Sequence, residues 1–366
     1  MKKLIVALAA LAATAGNLQA GSIDRNFLDT AVLFEKGNVL KFGAYHASPS
    51  LKGRFPAALG GGSTGDGGDS FQNYNASIKY QVNDRISLAL LFDQPYGADI
   101  AFGGSFYNGL AADWETKAIT AIGRYKFANN VSVYAGPRLL RTDASIFVPQ
   151  STLQLGGLPA SFSAKSRKTD ELGFVVGVAY EKPEIALRVS LTYQSAVDQK
   201  VGVAEAFNPP VLPPAVTRTE VELPQVVQFD FQTGIAPKTL LFGMVRWSDW
   251  SEFGVRTQQF GLITGQKVAD VLDDIWTVRL GVGRQITDKL SGFVRATWEP
   301  QNNSTLSRVA PTDGRFAVGL GGSYNFGRAK LTVGGEYIDL GGGTDGVANF
   351  KNNEAYILAS SIQFTF

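Results

Sequence analysis

The 366-residue chain contains no cysteine, so no disulfide framework braces it and neither thiol chemistry nor a thiolate metal site is open to it. Its one histidine, His46, falls on an outward-facing strand position with Leu40, Phe42 and Ala44, and no serine is matched to it, which argues against a barrel phospholipase. A formal net charge of only +2 gives no reason to expect a nucleic-acid partner. Beyond the first twenty residues no uninterrupted apolar run approaches the about 18 residues that a spanning helix needs. Mean hydropathy is 0.00. A membrane crossed by strands remains open, because a barrel shows lipid only every second residue and so averages to neutral.

The chain ends carry the first positive signals. Met1-Lys2-Lys3 is basic, Leu4 to Ala13 is apolar, and Leu18-Gln19-Ala20 supplies a small-residue cleavage site, so residues 1–20 read as a secretory signal peptide. At the other end Lys351 to Phe366 alternates strictly. Tyr356, Leu358, Ser360, Ile362, Phe364 and Phe366 share one face, and the small or polar Ala355, Ile357, Ala359, Ser361, Gln363 and Thr365 share the other. That is the dyad pattern of a membrane barrel strand with a lipid side and a wet side.

Turn chemistry gives the organisation. Short polar breaks at Asn83-Asp84, Ala128-Asn129-Asn130, Glu181-Lys182-Pro183, Ala236-Pro237-Lys238, Thr287-Asp288-Lys289 and Phe326-Gly327-Arg328 predict six tight hairpins. Between them lie seven longer connections, roughly 55–69, 98–112, 149–165, 199–222, 255–272, 301–312 and 341–351. Thirteen connections join fourteen antiparallel strands, an even number that puts both termini with the short turns on the periplasmic side.

The alternation holds strand by strand. Leu290, Gly292, Val294, Ala296 and Trp298 oppose Ser291, Phe293, Arg295, Thr297 and Glu299; Ile185 to Gln194 and Ala329 to Tyr337 behave alike. Placing Arg188, Arg295 or Lys330 in hydrocarbon would cost about 2–4 kcal/mol each near the midplane, so the charged face points inward. Tyr80, Tyr125, Phe127, Tyr180, Tyr324 and Phe326 fall beside the short turns and form an aromatic girdle. The expected architecture is a single transmembrane β-barrel over residues 38–366, preceded by a short plug, residues 21–37, whose Phe27, Leu28, Ala31, Val32, Leu33 and Phe34 are too apolar for an ordinary tail. In the third strand Pro95 cannot donate to a ladder and Gly97 relaxes the backbone, so pairing with a neighbour should fail there.

Fourteen strands, a lumen-sized N-terminal segment, and the runs Arg85 to Gly97 (with Asp93, Pro95, Tyr96 and Gly97), Phe34 to Val39 and the C-terminal Phe-Thr-Phe together resemble the FadL family of outer-membrane transporters for hydrophobic compounds. The segment before the first strand is shorter than that family's hatch and lacks its Asn-Pro-Ala run. The resemblance implies a monomer in the bacterial outer membrane. It further implies a hatch inside the barrel, an inward kink in strand three that opens the wall, and an extracellular apolar groove. Cargo, with long-chain fatty acids the family's usual one, would then pass laterally into outer-membrane lipid. Phe27, Leu28 and Phe34 would line its route, and the gap at Pro95 to Gly97 its exit.

The long connections carry apolar residues, among them Phe102, Phe106 and Tyr107, Ile146 to Val148, and Val211 to Val216, which predict either a ligand groove or a packed lid. Lumen-facing charges, including Asp93, Arg124, Arg138, Arg188, Asp230, Arg246, Arg279, Arg295, Glu299 and Glu336, should mostly pair with one another. Gly61 to Gly65 matches a nucleophile-elbow pattern, and Gly60, Gly62 and Gly65 a dinucleotide pattern, but neither has the strand-turn-helix setting its chemistry requires. Asp66 and Asp69 are too few for a calcium loop. The reading is passive transport of a hydrophobic small molecule, with no catalytic residue, cofactor or metal; the alternative is a general diffusion porin for small polar solutes, which would need a continuous water-filled lumen.

Overall fold

The computed structural model describes residues 23–302 and 305–366; the signal-peptide expectation for residues 1–20 and the first two residues of the expected plug lie outside the described residues. Fourteen strands form the barrel: β1 (Val39–Ser50), β2 (Phe71–Gln81), β3 (Ile86–Ala101), β4 (Ala111–Lys126), β5 (Val131–Val148), β6 (Thr169–Lys182), β7 (Leu187–Gln194), β8 (Val226–Ala236), β9 (Thr239–Ser248), β10 (Ile275–Gln285), β11 (Leu290–Glu299), β12 (Arg315–Asn325), β13 (Ala329–Leu340) and β14 (Asn353–Thr365). Neighbours in sequence are neighbours in the sheet, all antiparallel. β1 closes on β14 from Val39↔Thr365 to Ser50↔Glu354, which removes the free edges that hydrocarbon would not tolerate.

Polarity segregates as the alternation requires. Val294, Trp298, Leu320, Leu331 and Leu358 face out, while Ser291, Arg295, Thr297, Glu299, Thr332 and Glu336 are buried inside. All six girdle aromatics are exposed beside the tight turns. Inside, charges are neutralised in pairs: Arg138 with Asp93 at 2.9 Å, Arg315 with Glu299 at 2.9 Å, and Arg295 with Glu336. Such pairing keeps a low-dielectric interior from holding a bare charge.

The long connections gather at the opposite end and carry structure of their own. Lys52–Arg54, Ser63–Asp66, Gly343–Thr344 and Asn349–Phe350 make a small sheet over the barrel mouth. Residues 199–222, expected as loop, belong instead to a hairpin, Val197–Asn208 with Ala215–Leu223, that continues the sheet above the rim with Ser161–Ser166. Its own alternation explains this: Val197, Val201 and Val203 are buried while Asp198 and Lys200 are exposed.

The segment from Ile23 to Gly37 makes its contacts with inward-facing side chains of the wall. Thr30–Phe34 forms a single 3-10 turn capped by Asp29, whose carboxylate accepts from Ala31 N at 3.1 Å and from Lys41 Nζ at 2.6 Å. Leu28, Val32 and Leu33 are buried against Leu91, Ile122, Tyr134 and Val175 of the wall. Arg124 donates to Leu33 O at 2.9 Å, and Lys79 donates to Glu35 O at 2.7 Å and Gly37 O at 2.9 Å, so wall side chains satisfy carbonyls the short turn leaves open.

Candidate functional site

The ladder between β2 and β3 is incomplete. The two strands pair from Gln81↔Ser87 to Ala76↔Phe92 and no further, although β2 stays paired with β1 up to Phe71. Above the break the polypeptide pairs again, through the Gly68–Ile100 bridge and bonds from Asp69 N to Asp99 O at 3.2 Å and Ala101 N to Gly67 O at 3.0 Å. The break thus has a floor and a ceiling. Its cause lies in β3, where Asp93 pairs with Ala118 and Tyr96 with Thr116, so Gln94 and Pro95 together oppose Lys117 alone. That is a β-bulge at a residue without an N–H, and it turns the next backbone groups away from β2.

Those groups are taken up by the N-terminal segment. Arg25 N and Asn26 N donate to Pro95 O at 2.7 and 3.2 Å, and Gly97 N donates to Ile23 O at 2.7 Å, which makes Asp24 and Tyr96 an antiparallel bridge. Residues 23–26 therefore replace β2 as the partner of the bulged stretch. On the β2 side the Gln94 side chain caps the floor, its Oε1 accepting from Tyr74 N at 2.8 Å while Asn73 Nδ2 donates to Gln94 O at 2.8 Å.

Arg25 fills the break itself. Its guanidinium lies 3.9 Å from the Phe71 ring centroid and donates to Asp99 at 2.5 Å, and its carbonyl accepts from the Tyr45 hydroxyl. Gly97 is the residue that lets it pass, since a Cβ there would meet Arg25 Cζ and Nε at 2.5 Å. One residue earlier, Asp24 is buried, accepting from Arg246 at 2.9 Å and from the Trp250 indole at 2.6 Å. Trp250 stacks edge-on against Tyr96 with ring centroids 5.4 Å apart, which ties segment, bulge and lumen together.

Above this lies a groove of about 760 Å³ between β3, β4 and β5 and the 197–223 hairpin, lined by Ile100, Ile146, Phe147, Pro214 and Val216 with several alanines. It shares Ala112, Asp113, Ser145, Ile146 and Ala164 with a chamber of about 70 Å³ below, whose walls are Trp114, Val201, Val203, Val221, Phe253 and Val255 and whose floor includes Ile23 and Ala98. A third cavity of about 80 Å³ lies beside Phe27, Leu28 and Phe34 with Arg188, Asp230 and Arg279.

The residues singled out from sequence distribute as follows. Asp93 is buried on Arg138; Pro95, Tyr96 and Gly97 form the bulged stretch; Phe27 lies under Arg246 and Arg279, at 4.4 and 5.7 Å, and Phe34 under Arg124 and Arg188, at 4.5 and 4.9 Å. Of the two alternatives for the long connections, Phe102 and Tyr107 follow the packed lid: both are buried in the cap and Phe106 is half-buried, and they pack with Phe55 and Phe350 because the connections fold on one another before meeting solvent. The Tyr107 hydroxyl donates to Asp345 at 2.5 Å; burial, then that carboxylate, push its phenol upward. His46 is exposed with Ser48 Oγ at 3.1 Å, and Gly60 to Gly65 precedes no helix. Asp66 is engaged within its own loop by Leu51 N, Ser50 and Gly68 N. Asp24, Arg25, Asp99, Asp113 and Trp250 were not singled out; the apolar stretch beginning at Ile23 and the Pro95/Gly97 pair were the signals beside them.

The family model for outer membrane protein transport proteins (OMPP1/FadL/TodX) matches residues 47–341. Among solved structures, a Pseudomonas aeruginosa FadL homologue superposes with a TM-score of 0.72 at 15% identity, covering 92% of both chains. The Pseudomonas putida toluene transporter TodX gives 0.63 at 10% identity over 90% of both, and the Ralstonia pickettii toluene transporter TbuX 0.61 at 12% over 96% of this chain and 97% of that one. No curated protein matches. A closed fourteen-stranded barrel with a lipid-facing belt, matched over most of its length by one family, belongs to that family: the chain is a member of the OMPP1/FadL/TodX outer-membrane transport proteins, hydrophobic-compound channels rather than enzymes.

Proposed function

We propose that the protein admits hydrophobic small molecules passively, by capture in the extracellular groove, passage through the chamber beneath it, and sideways release into outer-membrane lipid between β2 and β3. The observation that carries this reading is the interrupted β2–β3 ladder, whose backbone groups at Pro95 and Gly97 bond to residues 23–26 instead. Withdrawal of that short segment would clear both the chamber floor at Ile23 and the Arg25 side chain from the break. Residues 21–37 act as the plug, and 1–20 as the signal peptide lost before assembly. Burial of Leu28, Val32 and Leu33 against the wall supports an occluded lumen over the porin alternative. A monomer is the state the family resemblance implies; the start of β1 and the end of β14 lie together at the short-turn, periplasmic end, Asn38 N donating to Phe366 O.

The absence of native cysteine makes a direct test available. Asp24 and Tyr96 are bridge partners flanked by the 23–97 and 25–95 hydrogen bonds, a non-hydrogen-bonded pair whose Cα atoms sit about 4.5 Å apart, within disulfide range. Asp24→Cys with Tyr96→Cys, oxidised, should block uptake of a labelled hydrophobic tracer, and reductant should restore it in the same cells. Equal uptake by the oxidised and reduced forms would sink the plug-withdrawal route.

A further inference from the structure

The chemistry of the chamber bears on what crosses it. Among the described residues lining it, Asp113 is the one that carries a formal charge, and it lines groove and chamber alike, at the neck. Its register partner across β3 is another carboxylate, Asp99, already engaged by Arg25. Lys165, the one cation lining the groove, is exposed at its rim. A carboxylate entering the chamber would therefore leave water with no counterion, and would meet Asp113 on the way. If Asp113 shares a proton with Asp99 the repulsion fades, but the missing counterion still excludes the anion.

One polar group in the wall does await a partner. Thr257 lines the chamber, is 1% exposed, and its hydroxyl has no hydrogen bond within the protein. A buried hydroxyl left unpaired is costly, and a ligand group that bonds to it recovers that cost. The chamber's other hydroxyls are already engaged or at the neck: Thr142 bonds to Thr116, Ser166 to Ala144 N and Thr219 to Arg256 O, while Ser145 lies where groove and chamber meet. We infer that the cargo is an uncharged hydrophobic molecule carrying one hydrogen-bonding group, such as an alcohol, phenol or ester, which Thr257 engages at the neck-to-chamber step, and that free carboxylates are rejected. This rests on the transport reading above.

The test is protein-dependent uptake, at neutral pH, of radiolabelled dodecanol against radiolabelled dodecanoate, each measured relative to cells lacking the chain. Wild type should take up dodecanol about tenfold or more faster than dodecanoate. Thr257→Val, which keeps the shape and removes the hydroxyl, should slow dodecanol about threefold or more. Asp113→Lys should raise dodecanoate uptake by supplying the absent counterion. Equal uptake of the two congeners by wild type, or dodecanol uptake indifferent to Thr257→Val, would overturn the inference while leaving transport standing. Uptake of neither congener above the control would overturn the transport reading and this inference with it.

Discussion

Replacing Arg25 by alanine isolates what holds the N-terminal segment in the β2–β3 break. The guanidinium donates to Asp99 at 2.5 Å with both side chains mostly buried, 10% and 26% exposed, and lies flat over Phe71 at 3.9 Å. A charge-assisted hydrogen bond of this kind contributes about 1.5–3 kcal/mol, and a partly desolvated cation–π contact about 0.5–2 kcal/mol. Because the two share one group they do not add, so a loss of about 2 kcal/mol is the conservative figure, equivalent to a roughly 30-fold shift toward the undocked segment. The backbone bonds from Arg25 N and Asn26 N to Pro95 O do not need the side chain. Hydrogen exchange read by mass spectrometry on the protein in nanodiscs should show peptides covering 23–37 exchanging about 30 times faster in Arg25→Ala. Peptides from the β1–β14 closure should not change. Unaltered exchange of the segment, or equal acceleration in the closure strands, would refute the claim that Arg25 fastens the segment locally.

Gly97→Ala should mimic that change from the opposite side, because its Cβ would fall 2.5 Å from Arg25 Cζ and Nε; faster exchange of residues 23–37 with barrel closure unaffected is the expected result. Asp24→Ala removes the carboxylate that accepts from Arg246, whose side chain is 2% exposed, and from the Trp250 indole, a loss of buried charge-assisted hydrogen bonding of about 1.5–3 kcal/mol. The segment should then become susceptible to trypsin after Arg25, which is buried in the docked form, seen by intact mass, whereas resistance equal to wild type would contradict the assigned role. Burial pushes the Asp66 carboxyl upward, but hydrogen bonds from Ser50, Leu51 N, Gly68 N and Lys52 outweigh it and hold the group below the usual carboxylate range. A depressed folded value means its contribution is present above the ordinary Asp range and lost as pH falls through the lowered one. The 51–70 loop should accordingly stay protease-resistant at pH 5 and loosen only in strong acid, and Asp66→Asn should loosen it at neutral pH.

The barrel was legible because lipid and lumen differ so sharply in polarity that every residue from Leu290 to Glu299 reports its side, and because turn length separates the two ends. The same pattern was present in Val197 to Val203 and was passed over, since a strand rising above the membrane shows the same alternation inside what its length marks as a loop. Phe102 and Tyr107 were ambiguous for a different reason: in a long connection the same apolar residues suit a groove or a lid, and only the folding of the connections on each other decides for the lid. The break was half legible. Pro95 and Gly97 announce that the ladder fails, but Arg25 and Asp99 are 74 residues apart, and Asp24 and Arg246 are separated by 222. Nothing local in either partner marks the other, because barrel closure alone brings them together.

The break and the plug are one device. In a wall facing hydrocarbon an unpaired N–H or C=O costs several kcal/mol, so a strand cannot simply stop pairing. Pro95 and Gly97 turn their groups inward, and residues 23–26 supply the ladder that β2 withholds. Re-pairing β2 with β3 after the segment leaves is obstructed, since Pro95 has no N–H and the bulge sets the strand out of register. The undocked state must therefore bear exposed backbone groups at Pro95 and Gly97. On the proposed route that state would last only while cargo or water occupied the space. Such a passage would, on that route, reset without external energy, because the bonds at Pro95 and Gly97 that draw the segment back are the ones its departure breaks.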